Sequence, residues 1–318
     1  MNPLELPDFA AIRAARQRIA RYVRVTPVMT SDALDEALGV HVFLKCENFQ
    51  QVGAFKARGA CNAVFSLPED VARRGVVTHS SGNHGAALAY AARQRGVPAH
   101  VVMPDNAPKV KIANVEGFGA KVHFCAPNVP AREATCAEVE HTTGAVLVHP
   151  YDNAAVIAGQ GTAALELLEA HPELEVVVTP VGGGGLMSGT AIAAHGVNPR
   201  IVVYGTEPAG ADDASRGFAS GHVEPMNNPQ TIADGLRSTV SERTLGAMRS
   251  HLAGIATCSE GAIVAAMRMV WERAKIVIEP SSAVPLAAML EGTLDVRGKR
   301  VGVVITGGNV DLDRLPWQ

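Results

Sequence analysis

Several things are missing from this sequence, and each absence removes a class of function. No run of basic residues occurs, and the 318-residue chain carries a net charge of only −3. A nucleic acid or an anionic membrane surface is therefore not an expected partner. The longest apolar stretches are strand-length or interrupted, so none reaches across a bilayer. The N-terminus has no basic-then-apolar leader and carries Glu5 and Asp8 instead, which sets the expectation of a cytoplasmic protein. Cysteine is sparse: Cys46, Cys61, Cys125, Cys136 and Cys258 are scattered without a CxxC pair. An odd, unpatterned set of this kind reads as free buried thiols in a reducing compartment. Low-complexity segments and repeats of fixed period are absent too.

What is present is ordinary globular material, with 47% apolar residues and length for two domains or one large α/β domain with an inserted lobe. Apolar periodicity predicts helices at 9–25, 33–38 and 59–66. From there short apolar strands (75–78, 99–104, 120–124, 145–150) alternate with helices at 84–95, from 108, and at 131–142. A second set follows: a helix at 159–170, a strand at 175–179, a glycine turn, a helix to 194, and strands at 201–204 and 301–306. Such alternation predicts parallel sheets covered on both faces. The expected architecture is α/β, with two open parallel-sheet lobes meeting at a cleft, residues 1–74 with 153–318 forming the larger and 75–152 the smaller. Open sheets of this type bind ligands at the carboxyl ends of their strands.

Three stretches carry chemistry. In Val52-Gly53-Ala54-Phe55-Lys56-Ala57-Arg58-Gly59-Ala60 a lysine stands between apolar neighbours, where desolvation lowers an ammonium pKa and makes the amine a nucleophile or base. In the second, a buried-strand pattern runs into Gly182, Gly183, Gly184 and Gly185 and then into a helix. Backbone N–H groups can converge there on an anion at a helix start, the physics of a phosphate cradle. No Lys-Ser/Thr follows and the spacing is not GxGxxG, so it is neither a Walker loop nor a dinucleotide fingerprint. The third, Thr78-His79-Ser80-Ser81-Gly82-Asn83-His84-Gly85, suits a carboxylate and equally an ordinary helix cap. His79 and His84 lack a zinc-ligand spacing. A reactive lysine, a phosphate cradle and a carboxylate-binding helix start together suit pyridoxal 5′-phosphate and an amino acid.

These motifs, with the ending Thr306-Gly307-Gly308-Asn309-Val310, make the chain resemble the serine racemase and serine/threonine dehydratase family. Its members are fold-type II pyridoxal phosphate enzymes with a tryptophan synthase β-like fold and the cofactor in the cleft. The resemblance covers nearly the whole chain. It implies that Lys56 forms the Schiff base and then takes the Cα proton, that Phe55 lies against the ring, and that Asn83 meets the phenolic oxygen. It also implies that Gly182 to Gly185 hold the phosphate and that Thr306 faces the pyridine nitrogen, where relatives often have Ser. Ser80, Ser81, Asn83 and His84 would bind substrate, and Ser81 would serve as acid/base on the face opposite Lys56 in a racemase. Ala54 departs from the common Ser-Phe-Lys form. The C-terminal regulatory domain of biosynthetic threonine dehydratases is expected to be absent.

Glu207, the Ala211 carbonyl and Asp213 fit either a solvated acidic turn or the oxygen shell of a hard cation. The resemblance favours the second, a Mg²⁺ (or Ca²⁺/Mn²⁺) site. Arg132 is either a surface arginine or the partner of a second substrate carboxylate, and Ser238 and Tyr151 are further candidates for the pocket lining. The expected activity is ammonia-lyase (dehydratase) chemistry on a 3-hydroxy amino acid such as L-serine, L-threonine or 3-hydroxyaspartate, in a homodimer. The alternatives are a racemase, a β-replacement enzyme of cysteine synthase type, and a non-catalytic sensor, which would have no use for Lys56.

Overall fold

The computed structural model describes residues 5–80 and 82–318, and of Val110 the backbone only. Its strands in chain order are β1 (Val28–Met29), β2 (His41–Cys46), β3 (Val76–His79), β4 (Ala99–Pro104), β5 (Lys121–Cys125), β6 (Val146–Leu147), β7 (Val176–Pro180), β8 (Val202–Pro208), β9 (Gly254–Cys258) and β10 (Arg300–Ile305). The early helices are α1 (Phe9–Ile19), α2 (Asp32–Leu38), α3 (Lys56–Ser66), α4 (Glu69–Ala72), α5 (Asn83–Arg95), α6 (Lys109–Gly117) and α7 (Val129–Thr143). The later ones are α8 (Ala154–Ala170), α9 (Gly185–Val197), α10 (Asp213–Ser220), α11 (Glu242–His251), α12 (Glu260–Arg273) and α13 (Pro280–Glu291).

Two sheets result. The larger has the order β1-β2-β10-β7-β8-β9, and the smaller the order β5-β4-β3-β6. Every pairing is parallel except that of the short edge strand β1 with β2. In the larger sheet the chain walks outward through β7, β8 and β9 and then returns to lay β10 on the other side of β7. In the smaller it walks through β3, β4 and β5 and returns to lay β6 on the other side of β3. Each reversal opens a crevice at the strand ends, the position at which such sheets take ligands. The β7/β10 crevice is flanked by the tetraglycine and Thr306, and the β3/β6 crevice by Ser80, Gly82 and Asn83 and by His149–Tyr151.

Most of the predicted elements exist, with instructive shifts. The first helix stops at Ile19, well short of 25. The strand expected at 145–150 shrinks to Val146–Leu147, with one further ladder bond from the Val148 N–H to the Val77 carbonyl, and Pro150 lies beyond the ladder. The strand expected at 201–204 runs on to Pro208, so Glu207 sits inside a strand and not after one. The helix expected from 159 starts at Ala154, capped by the Asn153 side chain accepting from the Val156 N–H at 3.0 Å. Between 205 and 300 no element is predicted from periodicity, yet α10 to α13 and β9 lie there.

α3 is anchored by a buried ionic cluster. The Arg58 guanidinium donates from Nε and Nη2 to Glu47 at 2.7 and 2.9 Å, and from Nη1 and Nη2 to Glu166 at 2.8 and 2.7 Å. Lys45 Nζ also donates to Glu166 at 2.7 Å. Two acids and two bases cancel, all four are buried, and the cluster ties β2, α3 and α8 together two residues from Lys56. Burial favours the neutral form of Lys45, but the attached carboxylate opposes that. A closed cluster of this kind tolerates no deletion of a single member.

Candidate active site

Lys56 opens α3, and the turn before it is bound to the end of β10. Val52 and Gly53 take left-handed φ values of 56° and 69°. The Phe55 N–H donates to the Thr306 carbonyl at 2.9 Å, the Gly308 N–H to the Gly53 carbonyl at 3.0 Å, and Asn309 Nδ2 to the Val52 carbonyl at 2.9 Å. Position 306 and the lysine turn are thus parts of one rigid unit. Lys56 Nζ lies 5.1 Å from the centre of the Phe55 ring and donates to the Pro150 carbonyl at 2.9 Å. Burial pushes its pKa down to about 8, with the nearby Glu279 carboxylate pulling the other way. The helix start adds to the depression, since the positive end of the macrodipole disfavours an ammonium.

Pro150 is followed by Tyr151, and Tyr151 covers the tetraglycine. A Cβ on Gly183 would fall 2.3 Å from the Tyr151 ring, and one on Gly184, whose φ is +84°, would fall 2.7 Å from Thr244 Cβ. Only glycine fits either place, and the turn 182–185 that leads into the 13-residue α9 is left bare of side chains. The first N–H groups of α9 have no intrahelical acceptor and present a positive end, so the cradle fits a phosphate. Phe55, Leu186 and Val304 form one small apolar cluster, which joins the lysine turn, the cradle helix and β10. The lysine turn and the start of α9 therefore pack against each other.

Asn83 is held at both ends of its amide. Its Nδ2 donates to the two oxygens of Glu279 at 3.1 and 3.2 Å, and its Oδ1 accepts from Asn309 Nδ2 at 2.9 Å. Glu279 is buried, and desolvation first, then the Asp234 charge, push its carboxyl up to about 7, against the hydrogen bond from Asn83. Sequence reasoning missed this residue. A glutamate directly before Pro280 reads as an ordinary helix cap, but its side chain makes no cap bond and turns into the site. From the same helix, Ser282 Oγ stands 2.9 Å from Thr306 Oγ1 and accepts from the Gly307 N–H at 2.9 Å.

Ser80 and His84 flank the same helix start. The Gly82 N–H donates to Ser80 Oγ at 3.3 Å. His84 Nε2 lies 3.1 Å from the Val148 carbonyl, which requires the proton on Nε2 and leaves Nδ1 an acceptor without a partner among the described residues. Burial, with Lys56 beside it, keeps that ring neutral. Its side chain therefore offers no proton at Nδ1, which leaves the backbone N–H groups of the α5 start as the donors there. Ser81 lies outside the described residues.

Arg132 stands in the first turns of α7, half-buried, and its charge depresses the His79 pKa after burial has done so. Ser238 is half-buried in the loop leading to Val240. The Val240 N–H donates to Asp213 Oδ2 at 3.1 Å, whereas Asp213 Oδ1 is buried with no partner among the described residues. Glu207 accepts from the Ser215 and Ala214 N–H groups at 2.7 and 3.2 Å. Burial, then the Asp213 charge, hold Glu207 well above the usual carboxylate range, and burial raises Asp213 to about 6. Two buried carboxylates, the charge of Asp213 felt by Glu207 and one Asp213 oxygen without a partner among the described residues, fit a hard cation.

Comparison with known proteins agrees with this geometry. A family profile described as pyridoxal-phosphate dependent enzyme matches residues 19–307. A beta-hydroxyaspartate dehydratase from Paracoccus denitrificans is 48% identical over 312 residues, covering 98% of this chain and 99% of its own. A serine racemase from Dictyostelium discoideum is 46% identical over 319 residues, covering 99% and 98%. The solved structure of maize serine racemase superposes with a TM-score of 0.95 at 44% identity, over 97% of this chain and 95% of that one.

Proposed function

Since the chain belongs to the pyridoxal-phosphate dependent enzymes, we propose that it is an ammonia-lyase that removes water from a 3-hydroxy amino acid. The observation that carries this reading is the placement of Lys56 Nζ on the Pro150 carbonyl, next to the tyrosine that covers the glycine cradle. Lys56 would hold the cofactor's aldehyde carbon, the bare turn into α9 its phosphate, Asn83 Nδ2 its phenolic oxygen and Thr306 its ring nitrogen. When bound, pyridoxal phosphate supplies the electron sink that lets the substrate's Cα–H bond break heterolytically.

The chain's own residues then have defined tasks. Lys56 Nζ takes the Cα proton, and a pKa near 8 suits a base that works close to neutrality. The start of α5 binds the α-carboxylate through backbone N–H groups. Glu279 and Asn309 fix the Asn83 amide so that its donor end cannot flip. The Thr306 hydroxyl is a weak partner for a ring nitrogen compared with a carboxylate, which favours prompt loss of the β-hydroxyl with a proton over a long-lived carbanion. The released enamine hydrolyses to a 2-keto acid and ammonia. Racemisation is the second reading, favoured by the likeness to serine racemases, with Ser81 returning a proton on the face opposite Lys56.

A panel of L- and D-serine, L-threonine and the isomers of 3-hydroxyaspartate, scored for keto acid and for enantiomer, tests both readings. Keto acid and ammonia in equal amounts from at least one 3-hydroxy substrate is the expected result. Interconversion of enantiomers with no keto acid would replace the lyase by a racemase, and neither product would end both.

We assign the Glu207, Ala211 and Asp213 group to a divalent cation, Mg²⁺, Ca²⁺ or Mn²⁺. Both carboxyl pKa values are raised, so the folded chain retains protons that the unfolded chain releases above about pH 4. Without the cation, stability is greatest on the acid side and is lost as pH rises towards neutrality; Glu279 contributes with the same sign. After chelation Tm is expected to fall between pH 5.5 and 7.5, and Mg²⁺ or Ca²⁺ to restore several degrees at the higher pH only. Asp213→Asn should remove the cation's effect. Identical melting with chelator and with cation at pH 7.5 would dismiss the site.

A further inference from the structure

The lyase reading leaves open what meets the substrate's side chain, and Tyr151 answers it. Its ring is locked by three contacts: the space that a Gly183 side chain would need, at 2.3 Å; the start of α9, where a Gly185 Cβ would sit 2.9 Å from Tyr151 Cβ; and the His149 ring, edge-on at 4.6 Å and 84°. His149 is itself held, since its Nδ1 accepts from the Asp152 N–H at 2.9 Å. The tyrosine directly follows Pro150, whose carbonyl holds Lys56 Nζ, so its backbone is fixed one residue from the lysine's hydrogen-bond partner. Its hydroxyl makes no hydrogen bond with any described residue, and the residue is only half-buried. A phenol with a packed ring, half-buried and with no hydrogen-bond partner for its O–H among the described residues, is a preorganised donor.

The surrounding charges indicate what it donates to. Burial first, then the carboxylates of Asp152, Asp213 and Glu133, push the phenol up to about 12, while Arg132 acts in the opposite sense. The hydroxyl therefore keeps its proton at any working pH and lies within the field of the Arg132 guanidinium. Arg132 forms no ion pair among the described residues. On the proposed reading the α-carboxylate takes the start of α5, so a cation and a neutral donor within each other's field call for a second anionic group.

Resting on the lyase reading, we propose that Tyr151 is a specificity-determining residue: its O–H donates to the side-chain carboxylate of a dicarboxylic 3-hydroxy amino acid, alongside Arg132. A monocarboxylic substrate such as serine would leave both donors facing an empty space, and a site with unanswered polar groups discriminates strongly against the smaller substrate.

The test is Tyr151→Phe in the cofactor-loaded enzyme, which keeps the ring and its packing on Gly183. For 3-hydroxyaspartate kcat/KM is expected to fall about 10- to 100-fold, the scale of a hydrogen bond to a charged group, chiefly through KM. On L-serine the loss should be at least tenfold smaller, with cofactor content equal in the two proteins. Succinate, an unreactive dicarboxylate, should raise the Tm of the wild-type protein and raise that of Tyr151→Phe distinctly less. Equal losses on both substrates, or succinate stabilising both proteins alike, would overturn the assignment. A wild type that makes no keto acid from any 3-hydroxy amino acid would defeat the lyase reading separately, and the succinate comparison would still decide the role of Tyr151.

Discussion

Lys56→Ala is expected to abolish product formation, by at least about 10³-fold, and to leave a colourless protein that still folds. Two losses would coincide, because on the proposed reading one nitrogen both holds the cofactor and moves the Cα proton. The fold should survive. Among the described residues Lys56 makes a single hydrogen bond, to the Pro150 carbonyl at 2.9 Å, and the turn before it is held by bonds from the Phe55 and Gly308 N–H groups and the Asn309 amide that do not involve the lysine side chain. A charge-keeping Lys56→Arg should be equally inactive, since a guanidinium stays protonated and cannot attack an aldehyde. Keto-acid release by either variant at more than about one per cent of the wild-type rate would remove Lys56 from the reaction.

The second large effect concerns stability. Arg58→Ala leaves Glu47 and Glu166 buried with only Lys45 to balance them. Breaking a buried ionic cluster on one side costs roughly 3–5 kcal/mol, which for a chain of this size is a fall in Tm of about 10 °C. Because the cluster holds α3 and α8 together, the variant should also lose cofactor affinity, even though the Arg58 guanidinium is engaged in the cluster. Glu166→Gln, which keeps the shape and most of the hydrogen bonds, should cost less. A Tm for Arg58→Ala within about 2 °C of wild type would show the cluster to be solvated and not structural.

The parts of this site that could be read in the sequence are those whose chemistry is local. A lysine between Phe55 and Ala57, four consecutive glycines after a β-branched strand, and Ser-Ser-Gly-Asn before a helix each stand out within a few residues as candidates for chemistry. The strand–helix alternation likewise foretells two parallel sheets, because burial on both faces leaves apolar runs with no polar phase. What stayed hidden was assembled by the fold. Glu279 has the sequence of a helix cap, and only the docking of α13 against the end of β10 turns it towards Asn83. Lys45, Glu47, Arg58 and Glu166 read singly as surface charges, and become a core when β2, α3 and α8 converge. The His149-Pro150-Tyr151 segment reads as the end of a strand, yet it lies beyond the ladder and supplies the carbonyl that holds the amine and the ring that covers the cradle. Four helices and β9 in the 205–300 region were invisible to periodicity; α10, α11 and α12 carry polar residues among their apolar ones, and α13 has Pro285 in its interior.

The central claim is that Lys56 Nζ and the bare turn into α9 hold one molecule between them. Borohydride treatment of the pyridoxal-phosphate-loaded protein makes the bond between cofactor and amine permanent, and peptide mass mapping then shows which amine it was. The account predicts a phosphopyridoxyl group on the peptide containing Lys56, absent when Gly183 is replaced by a residue that fills the cradle. A label on another lysine, or undiminished labelling of Lys56 with the cradle filled, would contradict it.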